Sequence, residues 1–167
     1  MLPSSGEVAG LVVTPDGTIY ATGGINGGPP LRIRPGQPPE AFTRSLGIGA
    51  MGITYDPIDN MLYVAMFYSL KIMRVDLSLP NSTAVAIANT GVRPNGLTLG
   101  EDRALYFTDA YYGTITRKGL VGLSAKVTAS PLPGNPSALA FGPDGKLYVT
   151  QSTGTDVIRL TLDAQGQ

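Results

Sequence analysis

Short runs of β-branched and aromatic residues alternate along the chain with clusters of Gly, Pro and Asp. The apolar runs include Leu11-Val12-Val13, Thr18-Ile19-Tyr20, Ile53-Thr54-Tyr55, Leu62-Tyr63-Val64, Leu105-Tyr106-Phe107 and Leu147-Tyr148-Val149. Runs of this kind, bounded by turns such as Pro-Asp-Gly, predict strands joined in hairpins. Helices would have to absorb 22 Gly and 14 Pro spread over 167 residues, at ~1 kcal/mol per interior Gly and ~3 per Pro. One long stretch, Ile58 to Leu79, is free of both, and its best periodicity is two. The pattern predicts an all-β chain.

The runs also repeat. The segments AGLVVTPDGTIYATG from Ala9, MGITYDPIDNMLYVAM from Met51, NGLTLGEDRALYFTDA from Asn95 and SALAFGPDGKLYVTQ from Ser137 align on Tyr20, Tyr63, Tyr106 and Tyr148, spaced 43, 43 and 42 residues. A period of ~40–45 residues with several strands per repeat is that of a β-propeller blade. The expected fold is therefore a β-propeller with four blade-like repeats of about 43 residues, over residues 7–48, 49–92, 93–134 and 135–167 of a single domain. It is either closed on four blades or an arc of a larger ring.

Within a repeat, strand a ends at a tight turn: Pro15-Asp16-Gly17, Pro57 to Asn60, Gly100 to Arg103, or Pro143-Asp144-Gly145. Strand b carries the aligned Tyr. Strand c is expected over residues 31–34, 70–77, 113–117 and 157–162, and a weaker strand d near 41–44, 84–88 and 126–129. In the second repeat, Leu70, Ile72, Val75 and Leu77 alternate with Lys71, Arg74 and Asp76, with a slip at Met73. The fourth repeat stops after strand c.

Composition narrows the chemistry. Twelve basic and twelve acidic side chains leave no net charge, so a basic surface for nucleic acid is not expected. There is no Cys and no His, which excludes zinc fingers, thiol nucleophiles and imidazole-based triads. A metal, if bound, would be a hard, oxygen-liganded ion such as calcium (Ca2+). The longest apolar run, Met61 to Leu70, is about half the ~20 residues of a membrane-spanning helix. Residues Met1 to Glu7 show no basic-then-apolar pattern, so neither a signal peptide nor a membrane partner is expected.

Pro94-Asn95-Gly96-Leu97, followed by Leu105-Tyr106-Phe107-Thr108-Asp109, resembles the blade signature of a propeller superfamily. That superfamily holds gluconolactonase and senescence-marker-protein lactonases, strictosidine-synthase-like proteins and NHL-repeat proteins. The segment Ala140 to Val149 resembles the same blade. The resemblance covers roughly residues 6–162 and implies the fold more strongly than an activity. In the lactonase-like members an Asn at the place of Asn95 ligates a central divalent cation. The resemblance thus implies Asn95, with Asp109 and Glu7, as metal-ligand candidates. The places equivalent to Asn95 hold Ala9, Met51 and Ser137, so the family's ligand set is not reproduced. Asn95-Gly96 is equally an ordinary turn pair.

Antiparallel strands a and b put the residues before strand a on one face with the b–c loops, and the a–b turns on the other. The turn face collects Asp16, Asp59, Asp102 and Asp144. The b–c face collects Asn95, Asp109, Tyr111 and Tyr112 from the third repeat, with Phe67 and Tyr68 from the second. Polar groups among aromatics are the usual make-up of a small-ligand site. Asp109 equally suits a cap for the following loop, and the aromatic pairs equally suit blade packing. Three functions fit: a module that binds a small molecule or protein on the b–c face without catalysis, a metal-dependent lactonase, or a propeller half. The last would assemble with a second copy through open blade edges.

Overall fold

A computed structural model describes residues 7–43, 46–80, 82–121, 124–128 and 130–163. The expected strand-d residues Arg44 and Ala129 lie outside them. The described residues form fifteen strands in four antiparallel sheets and no helix. The first blade holds β1 (Gly10–Val13), β2 (Ile19–Thr22), β3 (Leu31–Ile33) and β4 (Glu40–Ala41). The second holds β5 (Ala50–Asp56), β6 (Met61–Met66), β7 (Lys71–Asp76) and β8 (Val85–Asn89). The third holds β9 (Pro94–Leu99), β10 (Ala104–Asp109), β11 (Ile115–Gly119) and β12 (Ser124–Lys126). The fourth has three strands, β13 (Pro136–Phe141), β14 (Leu147–Gln151) and β15 (Val157–Leu160). Each sheet runs in chain order from its first strand to its last. The chain is a β-propeller of four blades.

The four aligned tyrosines take equivalent places. Tyr20, Tyr63, Tyr106 and Tyr148 each sit on the second strand opposite an arginine of the third: Arg32, Arg74, Arg117 and Arg159. The slip expected at Met73 is a register shift between Ile72 and Met73 in the pairing of β7 with β8. Strand β11 begins two residues later than the expected Gly113. There the amide of Asp109 donates to the Thr114 carbonyl and Gly113 takes a φ of 70°. That closed turn delays the ladder.

The core lies between blades, in three layers. Tyr20, Ile53, Leu62, Val64 and Val75 fill the first, between blades one and two. Tyr63, Ala65, Ile72, Leu97, Leu105 and Phe107 fill the second. Ala104, Tyr106, Ile115, Leu139, Leu147 and Val149 fill the third. Strand β6 serves two layers at once, Leu62 and Val64 pointing one way and Tyr63 and Ala65 the other. A strand buried on both faces needs apolar residues at every position. This explains the long apolar run from Met61. Each buried large side chain contributes roughly 1.5–3 kcal/mol.

The first strands face the axis, where β1 packs on β5, β5 on β9 and β9 on β13. They meet closely because Gly10, Gly52 and Gly96 carry no side chain. A Cβ there would lie 2.5 Å from the Met51 carbonyl oxygen, 2.5 Å from the Leu97 amide, and 2.3 Å from the Ser137 carbonyl oxygen.

Candidate functional site

Two concave regions belong to the b–c side and the axis. The axial cavity, about 210 Å3, is lined by the inner strands of all four blades, with Ala9, Gly52, Asn95 and Ser137 among its walls. Asn95 holds its amide nitrogen 3.5 Å from the Ser137 hydroxyl. Of the three metal-ligand candidates, only Asn95 lines this cavity.

Asp109 ends β10 and is 1% exposed. Its Oδ1 accepts from the Tyr111 and Tyr112 amides, at 2.9 and 3.3 Å, so the carboxylate caps its own loop. Its Oδ2 has no hydrogen-bond partner among the described residues. Glu7 is exposed and its carboxylate lies beside Gly24, in the first blade's b–c loop. Among the described residues no three Asp or Glu side chains converge as a metal centre. A calcium ion needs six to eight oxygens, and the three candidates do not gather such a set around the axis.

The second region is a groove of about 280 Å3 formed by Leu70, Gly91, Val92, Arg93, Tyr111 and Tyr112. Tyr111 and Tyr112 stand edge to face with ring centroids 5.0 Å apart, and Phe67 and Tyr68 repeat the arrangement at 5.4 Å. Tyr68, Tyr111 and Tyr112 are all more than half exposed. The Arg93 guanidinium lies over both pairs, 5.5 Å from the Phe67 ring centre and 5.9 Å from that of Tyr111. Its backbone carbonyl accepts from the Ala110 amide, which ties the two loops together. Arg93 forms no ion pair among the described residues. The cation lies near two aromatic faces, and its side-chain N–H donors have no hydrogen-bond partner among the described residues.

Sequence reasoning selected the rings and overlooked Arg93. The available signal was its repeat position: Glu7, Gly49, Arg93 and Asn135 each stand two residues before the places of Ala9, Met51, Asn95 and Ser137. A charge at that position points at the b–c face by construction. Gln151 of the fourth blade instead braces its own loop, donating to the Pro133 carbonyl and accepting from the Asp156 amide.

The opposite face carries the perturbed titrations. Asp102 accepts from the Tyr106 hydroxyl at 2.9 Å and from Arg117 Nε at 2.8 Å. Burial pushes the Asp102 carboxyl up, but bonds from the Ala104 amide, Arg117 and Tyr106 outweigh it and hold the group below its ordinary value. Burial first, then the Asp102 bond, pushes the Tyr106 hydroxyl up to about 12. In the fourth blade Tyr148 likewise donates to Asp144, at 3.0 Å. The third and fourth blades thus share a stabilising tyrosine–aspartate bond at the a–b turn, on the face opposite the groove.

No family model and no curated protein matches the chain. Solved structures do match by fold. The chain superposes over its full length on virginiamycin B lyase from Staphylococcus aureus, determined with quinupristin, with a TM-score of 0.74 and 18% identity, and covers 56% of that chain. It matches a chain of a nidogen/laminin complex with a TM-score of 0.75 and 20% identity over 87% of its own length and 57% of that chain. A gluconolactonase from Xanthomonas campestris matches with a TM-score of 0.70 and 20% identity, over 84% of this chain and 52% of that one. The chain therefore spans about half the length of the structures it resembles. At these identities the likeness is one of fold.

Proposed function

We propose that this chain is a ligand-binding propeller module whose b–c face takes a small anionic molecule with a flat or apolar body, without a reaction of its own. Arg93 carries this reading. An exposed guanidinium lying over two rings, with no carboxylate partner among the described residues, suits a carboxylate or phosphate group,. Tyr112 and Leu70 beside it offer apolar surface for the rest of the ligand. The chain has no Cys or His, and the Asp109 carboxylate is committed to its loop. The matched folds include two enzymes and one chain of a nidogen/laminin complex, so fold alone favours neither binding nor catalysis.

Titration with p-hydroxybenzoate and with phenyl phosphate, followed by amide chemical shifts, tests the proposal. Shifts are expected at residues 91–93 and 111–112, with affinity falling about tenfold or more in Arg93→Met, the loss of one charge-assisted contact. No binding, or equal binding by Arg93→Met, sinks it. Lactone hydrolysis is the second reading, favoured by Asn95 on the axis and by the buried Asp109 Oδ2, which has no hydrogen-bond partner among the described residues. Hydrolysis of gluconolactone with stoichiometric calcium, lost in Asn95→Ala, would put that reading first.

A further inference from the structure

Every internal junction of the propeller is made from the same two half-surfaces. The forward face of a blade presents its aligned tyrosine, and the next blade covers it: Tyr20, Tyr63 and Tyr106 are 6%, 3% and 1% exposed. The backward face presents an aliphatic residue of the first strand: Ile53, Leu97 and Leu139 are 6%, 5% and 8% exposed. The halves lock by specific contacts. Tyr106 sets its ring edge-on to Phe141 of the following blade, with centroids 5.1 Å apart. Thr108 donates its hydroxyl across the junction to the Ser137 carbonyl at 2.7 Å, and Thr22 does the same to the Met51 carbonyl.

One half of each kind is left over. In the first blade Leu11 holds the place of Ile53, Leu97 and Leu139, yet it is 58% exposed, with Val13 beside it at 54%. The ladder continues this apolar face through Ala21 and Leu31, and through Ile19 and Ile33. In the fourth blade Tyr148 holds the place of Tyr106, and Ala138, Ala140 and Thr150 beside it are exposed. Thr150 matches Thr22 and Thr108, but its hydroxyl stays within its own blade, accepting from the Ala138 amide at 3.0 Å and donating to the Ala138 carbonyl at 3.4 Å. The surfaces at the ends of the stack are thus sheet faces. The bare strand edge belongs to β15, which lacks a fourth strand beside it among the described residues.

We propose that a second copy of this chain covers both faces, the fourth blade of each copy packing on the first blade of the other to close a ring of eight blades. The junction needed is the one the chain already makes three times. Tyr148 would meet Val13 of the second copy, and the Thr150 hydroxyl would reach the carbonyl of its Ala9, the counterpart of Met51 and Ser137. A head-to-tail contact closes when its rotation does, and eight blades lie within the known range of propellers. The axis agrees. Where Gly10, Gly52 and Gly96 admit the next backbone, the fourth blade has Ala138. Its methyl group holds the inner strands farther apart at this junction, which opens the ring towards more blades.

Sedimentation equilibrium of the 167-residue chain should give twice 17.4 kDa. Leu11→Asp and, separately, Ala140→Arg should each give the single-copy mass with an unchanged β-sheet circular dichroism spectrum, because both positions are exposed. Mixing the two variants should restore the double mass, since such a ring has one wild-type junction and one junction with opposite charges. A wild-type monomer at every concentration, as expected if other propeller blades cover the ends, overturns the proposal. So does an open-ended series of masses, a dimer indifferent to both variants, or a mixture that stays monomeric.

Discussion

Arg103 of the third blade reaches back to Asp56 of the second, Nη2 donating to Oδ2 at 2.8 Å, while the Asp56 side chain is fully buried. The same nitrogen lies 2.5 Å from Asp59, which is half exposed. One cation therefore neutralises a carboxylate inside a blade junction and one on its rim. Breaking a buried pair costs ~3–5 kcal/mol, and the one-third exposure of Arg103 lowers that figure. Arg103→Ala should cost about 2 kcal/mol in urea unfolding. Asp59→Ala should cost under ~1 kcal/mol. Equal effects of the two substitutions would contradict this assignment.

Gly96→Ala should destabilise the fold more than its helix- or strand-propensity effect suggests. The added methyl meets the Ser137 carbonyl oxygen at 2.3 Å and Ala138 at 2.9 Å, both of them backbone. Overpacking of this kind costs about 1–3 kcal/mol. Gly47→Ala, where no atom lies within 4 Å, is the control and should leave the thermal midpoint within about a degree or two.

Tyr106 should be the last tyrosine to ionise. Its hydroxyl titrates at about 12 in the fold, against about 10 in an unfolded chain. A raised folded value gives stability that is complete below pH 10 and is lost as the pH rises from about 10 to about 12. Absorbance at ~295 nm should show a late step near pH 12 that Tyr106→Phe removes. On the acid side Asp102 has the opposite sign. Its lowered value gives stability that is present above pH ~4 and lost below it as the folded carboxyl protonates,. Asp102→Asn should flatten that limb.

Asp109→Ala should loosen a loop more than it weakens the protein. The substitution removes the cap on the Tyr111 and Tyr112 amides, and with it a buried oxygen that has no partner among the described residues. The two effects oppose, so global stability should change by less than ~1 kcal/mol. Hydrogen exchange at residues 111–113 should accelerate about tenfold or more. Unchanged exchange would show that the aromatic pair holds the loop by itself.

The fold was legible because a blade writes its chemistry into the chain at fixed intervals. The aligned tyrosines, the turn residues and the slip at Met73 all follow from local pattern, and each appears where that pattern puts it. Strand d was the weakest reading, since an outer strand packs on one neighbour and needs little periodicity; β4 keeps only Glu40–Ala41. The groove was half legible. Aromatics flanking a strand end announce themselves, whereas Arg93 acquires meaning only when the 91–93 and 109–112 loops meet. The two end faces were not legible at all. Leu11 and Ile53 read alike in the sequence, and only the presence or absence of a preceding blade separates them.

Because each blade carries both a forward and a backward half-junction, the gene encoding it can gain or lose a whole repeat without inventing a new contact. Duplicating 43 residues would add one more interlayer like those around Tyr63 or Tyr106, while point changes at those layers would be penalised in every blade they touch. Evolution of such a chain is therefore easy in length and slow in core sequence. The b–c loops, which lie outside the interlayers, are left free to diverge into whatever recognition the face requires.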